Sequence, residues 1–107
     1  MTTNASSLVV GIFTDHYEAQ RAIDALQSAG FAGDQIDFME HDDTTEGNIS
    51  KDSLIKLGIP KEDADRYQNE SEAGRTIVVV RTTDSSEQAK GILRENGAYE
   101  VNIRQGA

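Results

Sequence analysis

Few residues in this chain have types and spacing that suit chemistry. Of the two histidines, His41 is followed by Asp42 and Asp43, with Glu46 and Gly47 close behind. A His-Asp-Asp cluster offers donors to a divalent cation, but no second histidine stands at ligand spacing. Asp42, Asp43, Glu46 and Gly47 also lack the alternating acids and closing glutamate of a calcium loop. A solvated acidic loop is therefore expected there, with weak cation binding as the most it would do and no metal site. His16 follows Asp15 at the start of a helical pattern, where an exposed residue is expected and not a ligand or base. Paired carboxylates do acid–base work only when an apolar pocket raises one of them, and every Asp and Glu here falls at an expected cap, loop or solvent-facing position. No serine sits in a Gly-x-Ser-x-Gly elbow. Gly30-Phe31-Ala32-Gly33 follows a helix, whereas a phosphate loop follows a strand. There is no cysteine, hence no thiol nucleophile, disulfide or thiolate metal site. No catalytic set and no cofactor site emerge, and the chain is not expected to be an enzyme.

Four residues have two readings each. Tyr67 either anchors a helix onto a sheet or lines a ligand pocket. Gly74 ends a helix, or lets a partner's backbone come close. Arg81 and Arg104 end strands, where they either guard the strand ends with charge or define a small anion site.

The elements that must position these residues follow from periodicity. Leu8 to Phe13 and Thr76 to Arg81 are apolar on both parities, the mark of strands buried on two faces. Ile36, Phe38 and Glu40 alternate with Asp37, Met39 and His41, and Tyr99, Val101 and Ile103 alternate with Glu100, Asn102 and Arg104. Both patterns predict edge strands with one apolar face. Asp15 with Glu18, and Asp84 with Glu87, predict capping boxes that open helices. Ala19, Ala22, Ile23 and Leu26 form the apolar stripe of the first helix, and Ala89, Ile92 and Leu93 that of the second. Gly30 and Gly97 are natural terminators. Ala22, Leu26 and Gly30 recur as Ala89, Leu93 and Gly97, each 67 residues later. Few identities back this match, which makes it a structural pseudo-repeat of two β-α-β halves.

Between the halves lies an insert. Residues 42–49 predict a mobile acidic loop. Residues 50–74 predict two helices, one capped by Ser50 and carrying Leu54, Ile55 and Leu57 up to Gly58. The other opens at Pro60 with Glu62 and Asp63 favoured by the helix dipole, and its thin stripe is Ala64, Tyr67 and Ala73. The expected fold is α+β: a ferredoxin-like sandwich of two β-α-β halves on a four-stranded antiparallel sheet, with a helical insert between strands 2 and 3. It occupies one domain, residues 1–107, with 1–7 as a flexible leader that lacks the features of a signal peptide. The two long helices cover one sheet face. The other face must be closed by the insert or by a second subunit, because leaving a few hundred Å² of apolar surface wet costs several kcal/mol, about the stability of a small domain.

Charge narrows the partners. Ten cations against nineteen anions give a net charge of -9, which disfavours nucleic acid and anionic membranes. No apolar run approaches the roughly 20 residues of a membrane span. A cytoplasmic protein is expected, with a homo-oligomer formed through the second sheet face or an exposed sheet edge.

Two stretches carry a resemblance. Val10-Gly11-Ile12-Phe13, Asp15, Ala19 and Ala22-Ile23-Asp24-Ala25-Leu26 up to Ala29-Gly30-Phe31 resemble the opening of the general stress protein 17M-like domain, also described as heat-induced stress protein YflT-like. Leu57-Gly58-Ile59-Pro60, Glu62, Ala64, Tyr67, Ala73-Gly74 and the strand from Thr76 are similar to its second signature, and Asn96-Gly97-Ala98-Tyr99 fits its close. The resemblance spans nearly all of residues 8–103. Arg66 and Arg75 depart from it, standing where a second aromatic residue and a second glycine are frequent. It implies a bacterial, stress-associated cytoplasmic protein that is not an enzyme, and it brings no catalytic residues. The expected function is a general stress response protein acting by protein binding or self-assembly. The alternative is a small-molecule-sensing module with its pocket between the insert helices and the sheet. The candidate interaction surface is Leu54, Leu57, Pro60, Tyr67, Gly74 and Arg75.

Overall fold

Segments apolar on both sides need cover on both sides, and the tertiary structure follows from that requirement. In the computed structural model, which describes residues 7–40 and 51–105, they form β1 (Ser7–Phe13) and β3 (Thr76–Thr82). These strands lie side by side in a four-stranded antiparallel sheet. β2 (Ile36–Met39) and β4 (Glu100–Gln105) take the edges, in the order β2-β3-β1-β4. Val9 faces Val80, Val10 faces Val79 and Ile12 faces Ile77 across the centre. Ser7, expected in the leader, is instead a buried strand residue paired with Thr82 and Gln105, because both neighbouring strands extend that far. The rest of the leader and the loop carrying His41, Asp42, Asp43, Glu46 and Gly47 lie outside the described residues, as does Ser50.

Among the described residues four α-helices lie against the sheet: α1 (His16–Ser28), α2 (Lys51–Lys56), α3 (Lys61–Glu72) and α4 (Ser86–Glu95). The Asp15 side chain caps α1 by accepting from the Tyr17 N–H at 2.7 Å. Glu18, expected to complete a capping box, takes the Thr14 hydroxyl at 3.4 Å. The second expected box shifts as well. Ser85, not Asp84, is the N-cap of α4, and its own N–H is held by Thr82 Oγ1 at 3.1 Å. All four helices end in one way. The N–H after the terminal glycine reaches back five residues in Phe31 to Leu26, Ile59 to Leu54, Arg75 to Glu70 and Ala98 to Leu93, the Schellman arrangement. It requires a left-handed residue, which Gly30 (φ 109°) and Gly97 (φ 110°) supply at matching points of the two halves.

The sheet separates two cores. Val9, Phe13, Val78 and Val80 pack under α1 and α4 with Ala19, Ala22, Leu26, Ala89 and Leu93. Leu8, Val10, Ile12, Ile77 and Val79 face the other way, onto Leu54, Ile59, Ala64 and Tyr67 of the insert. The insert therefore closes its own sheet, and the second face is not available to another subunit. The closure also buries Met39, expected on the polar side of β2. In α3 the stripe is Ala64, Tyr67 and Ser71; Ala73 is the exposed C-cap.

If the insert belongs to the same cooperative unit, Leu54→Ala should destabilise the whole chain by about 2–5 kcal/mol. Ile55→Ala, at a neighbouring position 37% exposed, should stay within about 0.5 kcal/mol. Urea unfolding followed by far-UV circular dichroism reads both, and a local transition for Leu54→Ala with the global midpoint unmoved would contradict the prediction.

Candidate functional site

The polar groups that face one another across this molecule gather on the insert side of the sheet. Residues opposed across strands share a face, and Leu8 lies opposite both Arg81 on β3 and Arg104 on β4. The two arginines therefore flank Leu8 in one row, about 10 Å apart at two strand spacings. They do not pool their charge into an anion site, because each has its own carboxylate. Arg104 Nη2 meets Asp63 of α3 at 2.8 Å, and Arg81 Nε stands 3.5 Å from Asp37 of β2 while the same guanidinium donates to the Asp34 carbonyl. The Nε–H of each is buried without a hydrogen-bond acceptor.

Asp63 belongs to a longer seam. Asp63, Arg66 and Glu70 recur at helical spacing along α3, whose side chains meet the polar face of β4. Arg66 pairs with Glu100, Asn102 donates to the same Glu100 oxygen at 2.7 Å, and Glu70 accepts from the Tyr99 hydroxyl at 2.8 Å. Glu100, Asn102 and Arg104 thus face a helix where the sequence pattern suggested solvent. The seam ends at the α3 terminus, where Arg75 contacts Glu70 at 3.1 Å and lies over the Tyr99 ring. A Schellman end usually brings two apolar residues together at these positions; here they are an ion pair. The departure at Arg75 has a structural role.

Electrostatics on this face differ from group to group. The hydrogen bond from Arg66 holds the Glu100 carboxyl below its ordinary value, and Glu100 in turn raises Arg66. Burial lifts Asp37, with Arg81 pulling the other way. Burial also lifts the Tyr99 phenol, and its bond to Glu70 adds to that. On the insert's outer side, Lys51 and Asp65 pair at 2.9 Å, the bond raising the lysine and lowering the acid. Asp37 and Glu100 are the acids that pattern reading misplaced, since their strand positions alone do not reveal a helix overhead.

Of the candidate surface residues, Leu54 and Tyr67 are fully buried under the sheet and Leu57 is half-buried beside them. Pro60 and Gly74 lie outside, and Arg75 is half-buried in the seam. The six do not form one patch, because the positions that close a core point inward. Tyr67 anchors the insert, with Arg66 over its ring, and its hydroxyl is buried without a partner, a desolvation cost of roughly 1–3 kcal/mol. His16 is exposed, with Nδ1 2.8 Å from Glu40, an ion pair whenever the imidazole is protonated. Among the described residues no group of three metal-ligating side chains converges. The space between insert and sheet is filled by Leu54, Ile59, Ala64 and Tyr67. A cavity of about 300 Å³ lies elsewhere, where the C-terminal end of α1, the end of β3 and the first turn of α4 meet; Phe31, Gln35, Thr82, Asp84, Ser85 and Gln88 line it.

The seam makes stability pH-dependent with a definite sign. Glu100 gives up its proton more readily in the folded chain than in the unfolded one. The resulting stabilisation is complete above the ordinary glutamate value of about 4.3 and is lost as pH falls through the lower folded value. Glu100→Gln should cost roughly 0.2–1 kcal/mol at pH 7, and its stability should converge on that of the unaltered chain as pH falls from about 5 towards 3. Denaturant midpoints across that range test this, and a constant gap would refute it.

Comparison of the chain with protein-family models, with curated proteins and with solved structures finds no match, so its function must be read from these residues and their geometry.

Proposed function

We propose that this chain is a general stress response protein of bacteria that works by protein binding or self-assembly, and that its chemistry is recognition and not catalysis. The observation that carries this reading is that the chain closes both faces of its sheet with its own helices and leaves the outer edge of β4 without a strand partner among the described residues. An unpaired edge is a standing template for a further strand. Arg66, Arg75, Arg81 and Arg104 are each committed to a carboxylate, which with the net charge of -9 favours a protein partner over nucleic acid. No helix among the described residues is long and apolar enough to cross a membrane, in keeping with a cytoplasmic address. We assign the fold to the ferredoxin-like class with a helical insert between β2 and β3; the support is the strand order and the two β-α-β crossovers around α1 and α4. The link to stress rests on the resemblance to the general stress protein 17M-like domain. Bacteria deleted for this chain should survive heat or salt shock less well than their parent, and its transcript should rise on the shock. Equal survival with a flat transcript would remove the stress assignment.

A second reading, a small-molecule sensor, draws support from the cavity beside α4. Its hydroxyls and amides at Thr82, Ser85, Gln35 and Gln88, together with Asp84, suit a small polar molecule that is neutral or cationic. On this reading a thermal-shift screen of polar metabolites should find a compound that raises Tm, with the shift abolished by Gln88→Ala. A screen without any stabiliser would count against it.

A further inference from the structure

The outer edge of β4 is one of two places in this sheet, with that of β2, where a regular backbone stops without a described neighbour. Edge strands are usually blunted by proline, charged side chains, a covering element or very short length. β4 runs for six residues without proline, and its charged residues, Glu100 and Arg104, are engaged by Arg66 and Asp63 of α3. β2, the other edge, has four residues. Turned antiparallel on itself about Asp37, β2 sets that carboxylate against its own copy; turned about Phe38, it opposes Asp37 to methionine and Ile36 to Glu40. Neither arrangement matches charge to charge.

β4 does. From Glu100 to Arg104 it reads Glu-Val-Asn-Ile-Arg, an order complementary to itself when two copies run antiparallel about Asn102. Glu100 then stands opposite the partner's Arg104, Val101 opposite the partner's Ile103, and Asn102 opposite the partner's Asn102, with the remaining pairs following by symmetry. Directly opposed unlike charges and apolar pairs stabilise an antiparallel ladder, while like charges oppose it. Moving the two-fold to Val101 or to Ile103 removes both charge pairs. Val101 and Ile103 are only half-buried against the core and would be sealed by their opposites. The seam continues across the contact: Arg66, Glu100, the partner's Arg104 and the partner's Asp63 alternate in sign. Arg104 uses Nη2 for Asp63, and a guanidinium has five N–H donors, enough for a second carboxylate. α3 covers one face of β4 through Arg66 and Asp63, which leaves the outer backbone edge, in the plane of the sheet, without a described neighbour.

We propose that two copies of this chain join edge to edge through β4, with the two-fold axis at Asn102, into one continuous sheet that carries both inserts on the same side. This deepens the assembly reading above by naming its surface and its partner, a second copy. The contact is isologous, so it closes at two copies and does not grow into a fibre.

Absence of cysteine makes a direct test available. Asn102→Cys places its only thiol on the proposed axis, within disulfide reach of its own copy, whereas Tyr99→Cys puts an exposed thiol away from the axis. Under mild oxidation Asn102→Cys should form the covalent dimer at least about tenfold faster. Charge reversal gives a second test that tolerates local effects within each chain. Glu100→Arg alone opposes Arg to Arg across the axis, and Arg104→Glu alone opposes Glu to Glu, so each should sediment as a monomer at concentrations where the unaltered chain is a dimer. Mixing these two variants restores both unlike pairs and should restore the dimer; circular dichroism before mixing establishes that each is folded. Equal cross-linking at the two positions, or a mixture that stays monomeric, would overturn the proposal. A monomeric unaltered chain would overturn it too, while leaving a stress phenotype and a different protein partner standing.

Discussion

Everything in this molecule depends on two adjacent strands that are apolar on both sides. β1 and β3 bury every residue except Arg81, and a sheet with such a centre holds only if a layer lies on each face. The repeated β-α-β plan supplies one layer, α1 and α4. It cannot supply the second, because a crossover helix of the same hand returns to the same face. The segment between the halves makes up the difference. Its apolar content is small (Leu54, Leu57, Ile59, Ala64 and Tyr67), but it meets Leu8, Val10, Ile12, Ile77 and Val79 directly. At about 25 cal/mol per Å², a few fully buried side chains suffice to hold two short helices on a sheet that would otherwise be wet.

Covering a four-stranded sheet with so thin a stripe has a consequence at the edges. α3 buries Ala64, Tyr67 and Ser71 and turns Asp63, Arg66 and Glu70 towards β4. The contact there is polar, half-exposed and built from charge pairs, each worth little alone. It is also imperfect: the Nε–H groups of Arg81 and Arg104 and the Tyr67 hydroxyl are buried without partners. An edge held in this way is more easily altered than the centre.

The helix ends show how one local rule serves two purposes. In α1, α2 and α4 the residue after the terminal glycine is apolar (Phe31, Ile59 and Ala98) and folds back over the last turn. In α3 that position is Arg75, which takes Glu70 and covers Tyr99. The same backbone motif thus closes a core three times and, the fourth time, fastens the insert to the start of β4.

The elements and their classes are legible in local patterns of residues. Two-sided apolar runs identified the central strands, alternation identified the edges, glycine spacing identified where all four helices stop, and the 67-residue recurrence related the halves. These are local patterns fixed by backbone geometry and by the periods of helix and strand. Tertiary structure decided what each second face meets. It buried Met39, half-buried Asp37 and put Glu100, Asn102 and Arg104 beneath α3, because the insert came back to its own sheet and not to a neighbour's. It turned Leu54 and Tyr67 from candidate surface into core for the same reason. It placed a cavity beside α4 instead of beneath the insert, and it gave Arg81 and Arg104 separate acids. A strand pattern states that one face is polar; whether water, a helix or a second chain lies against that face depends on long-range packing that no local period encodes.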